Sequence, residues 1–383
     1  MFTSQLTWAI LQLFIVGTLY FVIFQAINVQ HQQKEITFIR HGARSPNKYN
    51  PLDQELWKNY KPGHLTEKGF LQLQQLGQSY QTNYFYDDNA NCIYQKLNFI
   101  SSLKPRVIHS FIAFIQGLCP NNFSEILKNF FQDYFSNYSK NEKILKQILQ
   151  SNFTSPFDFD FETFQMDRDF LFHGHSSSQC PILDQIELEI LNNQEYLSKN
   201  QEFKLRPEFQ EVFTEMKNSN SFLQQETITI NQMKTFYGGY KCNRYQGFER
   251  PVFSLNAQKY LDEIFIYKFY NIDNSKSIQH FSALTEIFQW IIKQIQGDHL
   301  FSIYFGHDSN QIAILAVLIE ERLIPPFASQ LKLIIKGEYA NLYFQNELLE
   351  TKICRSKINC TRRQLIKYLE QYISKDLNDL CQI

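Results

Sequence analysis

Glu35-Ile36-Thr37-Phe38-Ile39-Arg40-His41-Gly42-Ala43-Arg44-Ser45-Pro46 is the stretch on which the reading of this chain turns. Its opening run, Glu35 to Ile39, is short, largely apolar and rich in β-branched and aromatic residues, which predicts a buried strand. The seven residues that follow open at the carboxyl end of that strand, where open α/β sheets bind ligands. Arginine keeps its proton and presents a planar fork of donors, so Arg40 and Arg44 suit a phosphate dianion better than lysines would. Gly42 lets the backbone approach closely. His41 lies between two permanent positive charges, which lower an imidazole pKa and keep its lone pair free in mild acid. A neutral imidazole can attack phosphorus. The Arg-His-Gly tripeptide alone fits a solvated turn with a core-facing histidine equally well, but the full Arg-His-Gly-x-Arg-x-Pro spacing is harder to meet by chance.

A second strand end repeats this geometry. Leu300 to Phe305 is an apolar run closed by Gly306-His307-Asp308-Ser309-Asn310, and a helix is expected from Gln311 to Glu320 with Ser309 or Asp308 as its cap. His307 and Asp308 then sit at a strand's end and at a helix's amino end, a place that favours anions. If the two strands are neighbours, both loops face one ligand.

The remaining chain supplies the frame. Thr66 is placed to cap a helix reaching about Tyr80, with Phe70, Leu73 and Leu76 at helical spacing. Leu97-Asn98-Phe99-Ile100 reads as a strand, followed by a helix from Val107 to Leu118 that Pro120 stops. Leu331-Ile335 and Tyr339-Phe344 flank Lys336-Gly337-Glu338 as a hairpin. Residues 121–280 are different, with helical patterns such as Ile126-Leu127-Phe130-Phe131-Tyr134 and Ile144-Leu145-Ile148-Leu149 between polar connections. They predict a mostly helical insert. It contains His173-Gly174-His175, an H-x-H pair that lacks a carboxylate or cysteine at ligand spacing, so no metal is expected.

Composition sets outer bounds. With 383 residues, 44% of them hydrophobic, the chain can build one large elaborated domain or two. Lys+Arg number 37 against Asp+Glu 38, a net charge of -1, so no global field recruits nucleic acid or an acidic membrane surface. Any anion site must be local. No charged side chain precedes Lys34, and Leu6 to Ile27 is almost wholly apolar. Residues 1–30 are therefore expected to direct the chain to the secretory membrane as a signal peptide or an uncleaved anchor, giving a secreted, lysosomal or membrane-anchored protein whose catalytic domain is lumenal. The membrane is expected as a partner through that segment alone. Seven cysteines form no C-x-x-C pair, and in an oxidising compartment their odd count leaves at least one free. Asn122, Asn137, Asn152 and Asn359 each open a glycosylation sequon, in agreement with export.

Taken together, Arg40 to Pro46 and the strand followed by Gly306-His307-Asp308 resemble the histidine acid phosphatases, the branch of the histidine phosphatase superfamily that includes the prostatic and lysosomal enzymes. Leu65-Thr66-Glu67-Lys68-Gly69, Arg106 to Ser110 with Gly117-Leu118-Cys119-Pro120, and Pro325-Pro326-Phe327-Ala328-Ser329 extend the likeness. The resemblance implies an α/β sheet domain with helices on both faces, like that of phosphoglycerate mutase, built from residues 31–120 and 281–383. Residues 121–280 would form an inserted helical cap. It implies a phosphate monoesterase acting on a small phosphorylated substrate without a cofactor. His41 would be the nucleophile, Arg40, Arg44 and His307 the phosphate grip, and Asp308 the general acid. It pairs Cys180 with Cys381 and Cys354 with Cys360, and matches Cys242 to a family cysteine whose partner position holds Gln330. A homodimer is left open.

One departure stands out. The family usually places a third phosphate-binding arginine six residues before the position of Arg106, and that position holds Ile100. The resemblance thus implies a weakened site, or a non-catalytic protein that binds phosphoesters or a partner, unless Arg106, Lys104 or His109 supplies the charge.

Overall fold

The computed structural model describes residues 33–49, 53–81, 86, 92, 97–102, 104–138, 169–219, 228–248, 252–272, 277–354 and 360–382. The candidate signal or anchor of residues 1–30, the 144–149 helical pattern, Asn152 and Asn359 lie outside them. Among the described residues, no helix is long and apolar enough to cross a membrane.

The strand read from Glu35 to Ile39 is β1, Gln33–Arg40. Ile36 and Phe38 enter one core cluster and Ile39 another, so β1 is buried on both faces, which is why it reads as a near-continuous apolar run. In chain order follow α1 (Glu67–Ser79), β2 (Leu97–Ser101), α2 (Pro105–Leu118) and α3 (Phe123–Tyr138). Then come α4 (Phe170–His173), α5 (Ile182–Leu191), α6 (Gln194–Leu205), α7 (Pro207–Ser219), α8 (Ile230–Gln246), α9 (Leu255–Ile266) and α10 (Ser277–Gln296). The chain returns to the sheet with β3 (Phe301–Gly306), α11 (Asp308–Leu318), β4 (Gln330–Lys336), β5 (Tyr339–Phe344) and β6 (Glu347–Leu348), and ends in α12 (Arg362–Leu369) and α13 (Leu377–Cys381). The six strands lie in the order β2-β3-β1-β4-β5-β6. β1 runs parallel to β3, with Arg40 opposite Gly306, so the two candidate loops leave the sheet side by side.

Alternation along the strands assigns the two faces. Leu97, Ile303 and Phe305 join Ile39 under α1 and α2, while Tyr304 joins Ile36 and Phe38 beneath α10, α11 and α12. Ile100 has the opposite parity to Leu97 and, partly buried, packs against the second group. The helices α5 to α9 gather around a cluster that includes Phe203, Val212, Met233 and Tyr260 and that Ile312 of α11 and Cys381 of α13 also join. The described residues of 121–280 are thus mostly helical, as the pattern predicts.

Helix α1 is capped by Thr66, whose side chain accepts from Gly69 N at 3.2 Å. Helix α11 starts earlier than the expected Gln311. His307 is the cap residue and Asn310 Oδ1 accepts its backbone N–H at 2.9 Å, so Asp308 falls in the first turn, and the helix stops at Leu318, where Ile319 turns extended. Disulfides join Cys180 to Cys381 and Cys354 to Cys360 as the resemblance implies, and a third, Cys92 to Cys119, completes the set. Cys242 is free and buried. Asn122 lies in the turn after α2, where its Oδ1 accepts from Cys92 N at 3.0 Å, and Asn137 lies in α3.

Two glycines hold the first loop against α1. A Cβ on Gly69 would lie 2.0 Å from Ala43 O, and one on Gly42 would lie 2.3 Å from Gly69 O, contacts that only backbone displacement relieves. Gly69→Ala is accordingly expected to destabilise the fold by about 1–3 kcal/mol, the usual range for overpacking. Denaturant unfolding measures this, and an unchanged midpoint would show that the loop yields freely.

Candidate active site

The two loops meet at the mouth of a cavity of about 770 Å³, lined by Arg40, His41, Arg44, Arg106, His307 and Asp308 at its sheet end. His41 N donates to Gly306 O at 3.1 Å, which continues the β1–β3 pairing by one residue and brings the two histidine rings to 5.6 Å between centroids. All five groups assigned by the two motifs, Arg40, His41, Arg44, His307 and Asp308, therefore border one space.

His41 is only 2% exposed, and its Nδ1 lies 2.9 Å from Gly42 O. A carbonyl can only accept, so Nδ1 carries the proton and Nε2 keeps its lone pair. Burial, followed by the charges of Arg106, Arg40 and Arg44, lowers the imidazole pKa well below its ordinary value. The ring is an unprotonated base among cations.

Arg40 is held from three directions. Its Nη1 donates to Pro325 O at 2.5 Å, its Nη2 meets Asp308 Oδ2 at 2.7 Å, and its guanidinium lies 4.3 Å over the Phe327 ring. The Pro325 to Ser329 stretch is thus the seat of Arg40. Gln311 locks it there, with Nε2 donating to Phe38 O and Ser329 O and Oε1 accepting from Ser329 Oγ at 2.6 Å. Arg44 donates to Ser45 O at 2.8 Å and lies 3.7 Å from Cys242 Sγ.

Although residue 100 is isoleucine, a third guanidinium lines the cavity. Arg106, from the first turn of α2, enters the cavity and its Nη2 approaches His307 Nδ1 at 3.4 Å. Ile100, partly buried, instead packs against the core, so three guanidiniums border the site without it. Lys104 also lines the cavity, whereas His109 is buried in α2 and is not among the lining residues. Ser102 Oγ, 3.2 Å from His307 Nε2, and Ser110 Oγ, which accepts from Gly42 N at 3.0 Å, fix the ring and the loop. Ser110 closes the Arg106 to Ser110 stretch of the resemblance, whereas Ser102 carries no sequence signal beyond its place after the second strand.

For Asp308, burial works to raise the pKa. The charge of Arg40, with His41, Arg44 and Lys234 adding, outweighs burial and holds the carboxyl below the usual carboxylate range. His307 is lowered well below its ordinary value by burial, then by Arg106. Eight Lys and Arg side chains line the cavity against three carboxylates, so a strongly positive local field exists in a chain whose net charge is -1. Among the described residues, no cluster of three or more metal-ligating side chains occurs.

Sheet, paired loops and cavity define an α/β protein with a cation-lined strand-end cavity built around a buried imidazole. The chain belongs to the histidine phosphatase superfamily, branch 2, whose family model matches residues 33–340. No curated protein matches the chain. Its fold is that of solved phytases. The Citrobacter braakii enzyme superposes with a TM-score of 0.61 at 14% identity, covering 92% of this chain and 100% of its own. Hafnia alvei phytase with myo-inositol hexakis sulphate gives 0.59 at 13% identity, covering 92% and 98%. Klebsiella sp. ASR1 phytase gives 0.56 at 13% identity, covering 90% and 96%.

Proposed function

We propose that this protein hydrolyses phosphate monoesters through a phosphohistidine at His41. The observation that carries the reading is the His41 ring itself, with Nδ1 tied to Gly42 O, so that Nε2 keeps its lone pair, in a cavity that three guanidiniums also line. Arg40, Arg44 and Arg106 neutralise the phosphoryl oxygens as Nε2 attacks phosphorus, and His307 lies beside them. In the free protein Asp308 is paired with Arg40. An incoming phosphate dianion competes for that guanidinium and, by its own charge, raises the Asp308 pKa, so the carboxyl takes up a proton and passes it to the leaving oxygen.

The cap widens the choice of substrate toward molecules with several anionic groups. Lys234 and Lys241 of α8 and Lys268 line the same cavity beyond the arginines. Burial, then Arg40, lowers Lys241 to about 8, which leaves it charged in mild acid. A polyphosphorylated polyol matches this spread of cations, and the solved Hafnia alvei phytase of the same fold is in complex with myo-inositol hexakis sulphate. The three disulfides support a home in an oxidising compartment, and the apolar residues 1–30 support entry to the secretory pathway.

Hydrolysis of p-nitrophenyl phosphate in mild acid tests the reading. Because the His41 pKa is depressed, its nucleophilic form survives as pH falls and is lost only through that lowered value. The acid limb of kcat/KM is therefore expected below about pH 6.5, the ordinary imidazole value. A midpoint at or above that value would exclude the buried, cation-flanked ring as the titrating group.

A further inference from the structure

Two glycines line the cavity without a packing reason to be there. Gly238 and Gly239 lie in the middle of α8, and both border the cavity. Glycine is the weakest helix former after proline, so a helix interior keeps it where a neighbour crowds the backbone or where φ is positive. Gly77 of α1 and Gly117 of α2 meet the first condition, since a Cβ on them would lie 2.1 Å from Phe114 O and 2.0 Å from Gln74 O. At Gly238 and Gly239 a Cβ would meet nothing within 4 Å, and neither has a positive φ. Their side-chain positions open on the cavity.

Gly238 sits one helical turn after Lys234 and one before Lys241, so the three share a face of α8, with about 10 Å along the axis between the lysines. Each lysine is laid over aromatic rings rather than a carboxylate. Lys241 Nζ lies 4.7 Å from the Tyr237 centroid and 4.8 Å from that of Phe265, and Lys234 Nζ lies 4.5 Å from that of Phe269. Among the described residues no carboxylate pairs with either one, whereas Lys268 meets Glu187 at 2.7 Å. Asp262, whose charge reaches Lys241, accepts the Tyr237 hydroxyl instead. Rings hold a cation without neutralising it, so two uncompensated charges flank a bare stretch of helix. Both lysines interact electrostatically with Asp308, the group placed on the leaving oxygen. This face of α8 therefore borders the leaving-group side of the site.

We propose that Gly238 determines which leaving groups the site admits: by carrying no side chain between Lys234 and Lys241, it makes room for an alcohol that bears a second phosphate, which the two lysines hold. The inference rests on the hydrolase reading above and assigns the selection within it to one position. A leaving group that is small and carries no second anion needs neither the room nor the lysines. Gly238 is a specificity determinant and takes no part in the transfer itself.

Initial rates with glycerol 2-phosphate and with myo-inositol hexakisphosphate, both measured on the intact protein in mild acid, test this. Gly238→Leu is expected to lower kcat/KM for the hexakisphosphate by about 10–200-fold, the range over which pocket size discriminates, chiefly through KM, and to leave glycerol 2-phosphate within about threefold. Gly238→Ala, a smaller intrusion, should shift the ratio of the two in the same direction by less. Both substitutions favour the helix, so the unfolding midpoint should not fall. Lys241→Met, which keeps a stem over the rings and removes the charge, should lower kcat/KM for the hexakisphosphate alone by about 10-fold. A ratio of the two kcat/KM values that stays within about threefold of wild type in Gly238→Leu overturns the proposal while leaving a phosphatase, as does a wild-type protein that cleaves glycerol 2-phosphate but not the hexakisphosphate. A wild-type protein no faster than His41→Ala on either substrate removes the hydrolase reading, and this proposal with it.

Discussion

His41→Ala is expected to abolish turnover of p-nitrophenyl phosphate, by a factor on the order of 10⁶ if the loss matches that for other enzymes stripped of their nucleophile. The variant keeps Arg40, Arg44, Arg106 and His307, none of which depends on the ring for its main anchor. Arg40 is seated on Pro325 O and Phe327, and Arg44 on Ser45 O. Binding of inorganic phosphate, measured by calorimetry, should therefore persist. Turnover lost with binding retained is the signature of a missing nucleophile. A wild-type protein no faster than the variant would show instead that the site binds phosphoesters without cleaving them.

Arg106→Ala is expected to lower kcat by about 10²–10³, the usual consequence of removing one preorganised donor from a developing anion. The helix α2 delivers this guanidinium from its first turn, and Ser110 Oγ bonds back to Arg106 O at 2.7 Å, so the backbone beneath it is fixed. Arg106→Lys should recover little, since a point charge lacks the planar fork. If Arg106→Ala turns over within about threefold of wild type, Arg106 is a bystander and the charge implied missing at Ile100 is missing in fact. Circular dichroism distinguishes either result from unfolding.

The elements that carry the site were legible because each advertises itself locally. The runs before His41 and His307 are buried on both sides and read as short apolar strands, Thr66 caps α1, and Pro120 follows the end of α2. Where the expectation missed by a few residues, at the start of α11, the cause was a single side chain, Asn310, reaching back to His307 N. Arg106 was harder to place. Its position in sequence matches a structural role, and only the packing of α2 against the sheet turns it into the cavity.

By itself, then, the sequence determined the strand-loop pair, the identity of the groups at each loop, the helical character of the insert and two of the three disulfides. These follow from short-range periodicity, capping and spacing, and from motif resemblance. Tertiary structure alone decided which cations border the cavity, what seats Arg40, and that Asp169 pairs with His173. Arg40 and Pro325 O are separated by 285 positions, Ser102 and His307 by 205. Hydrogen bonds between such distant partners depend on how whole helices settle on the sheet, and no local pattern of residues records the direction in which a side chain will then point.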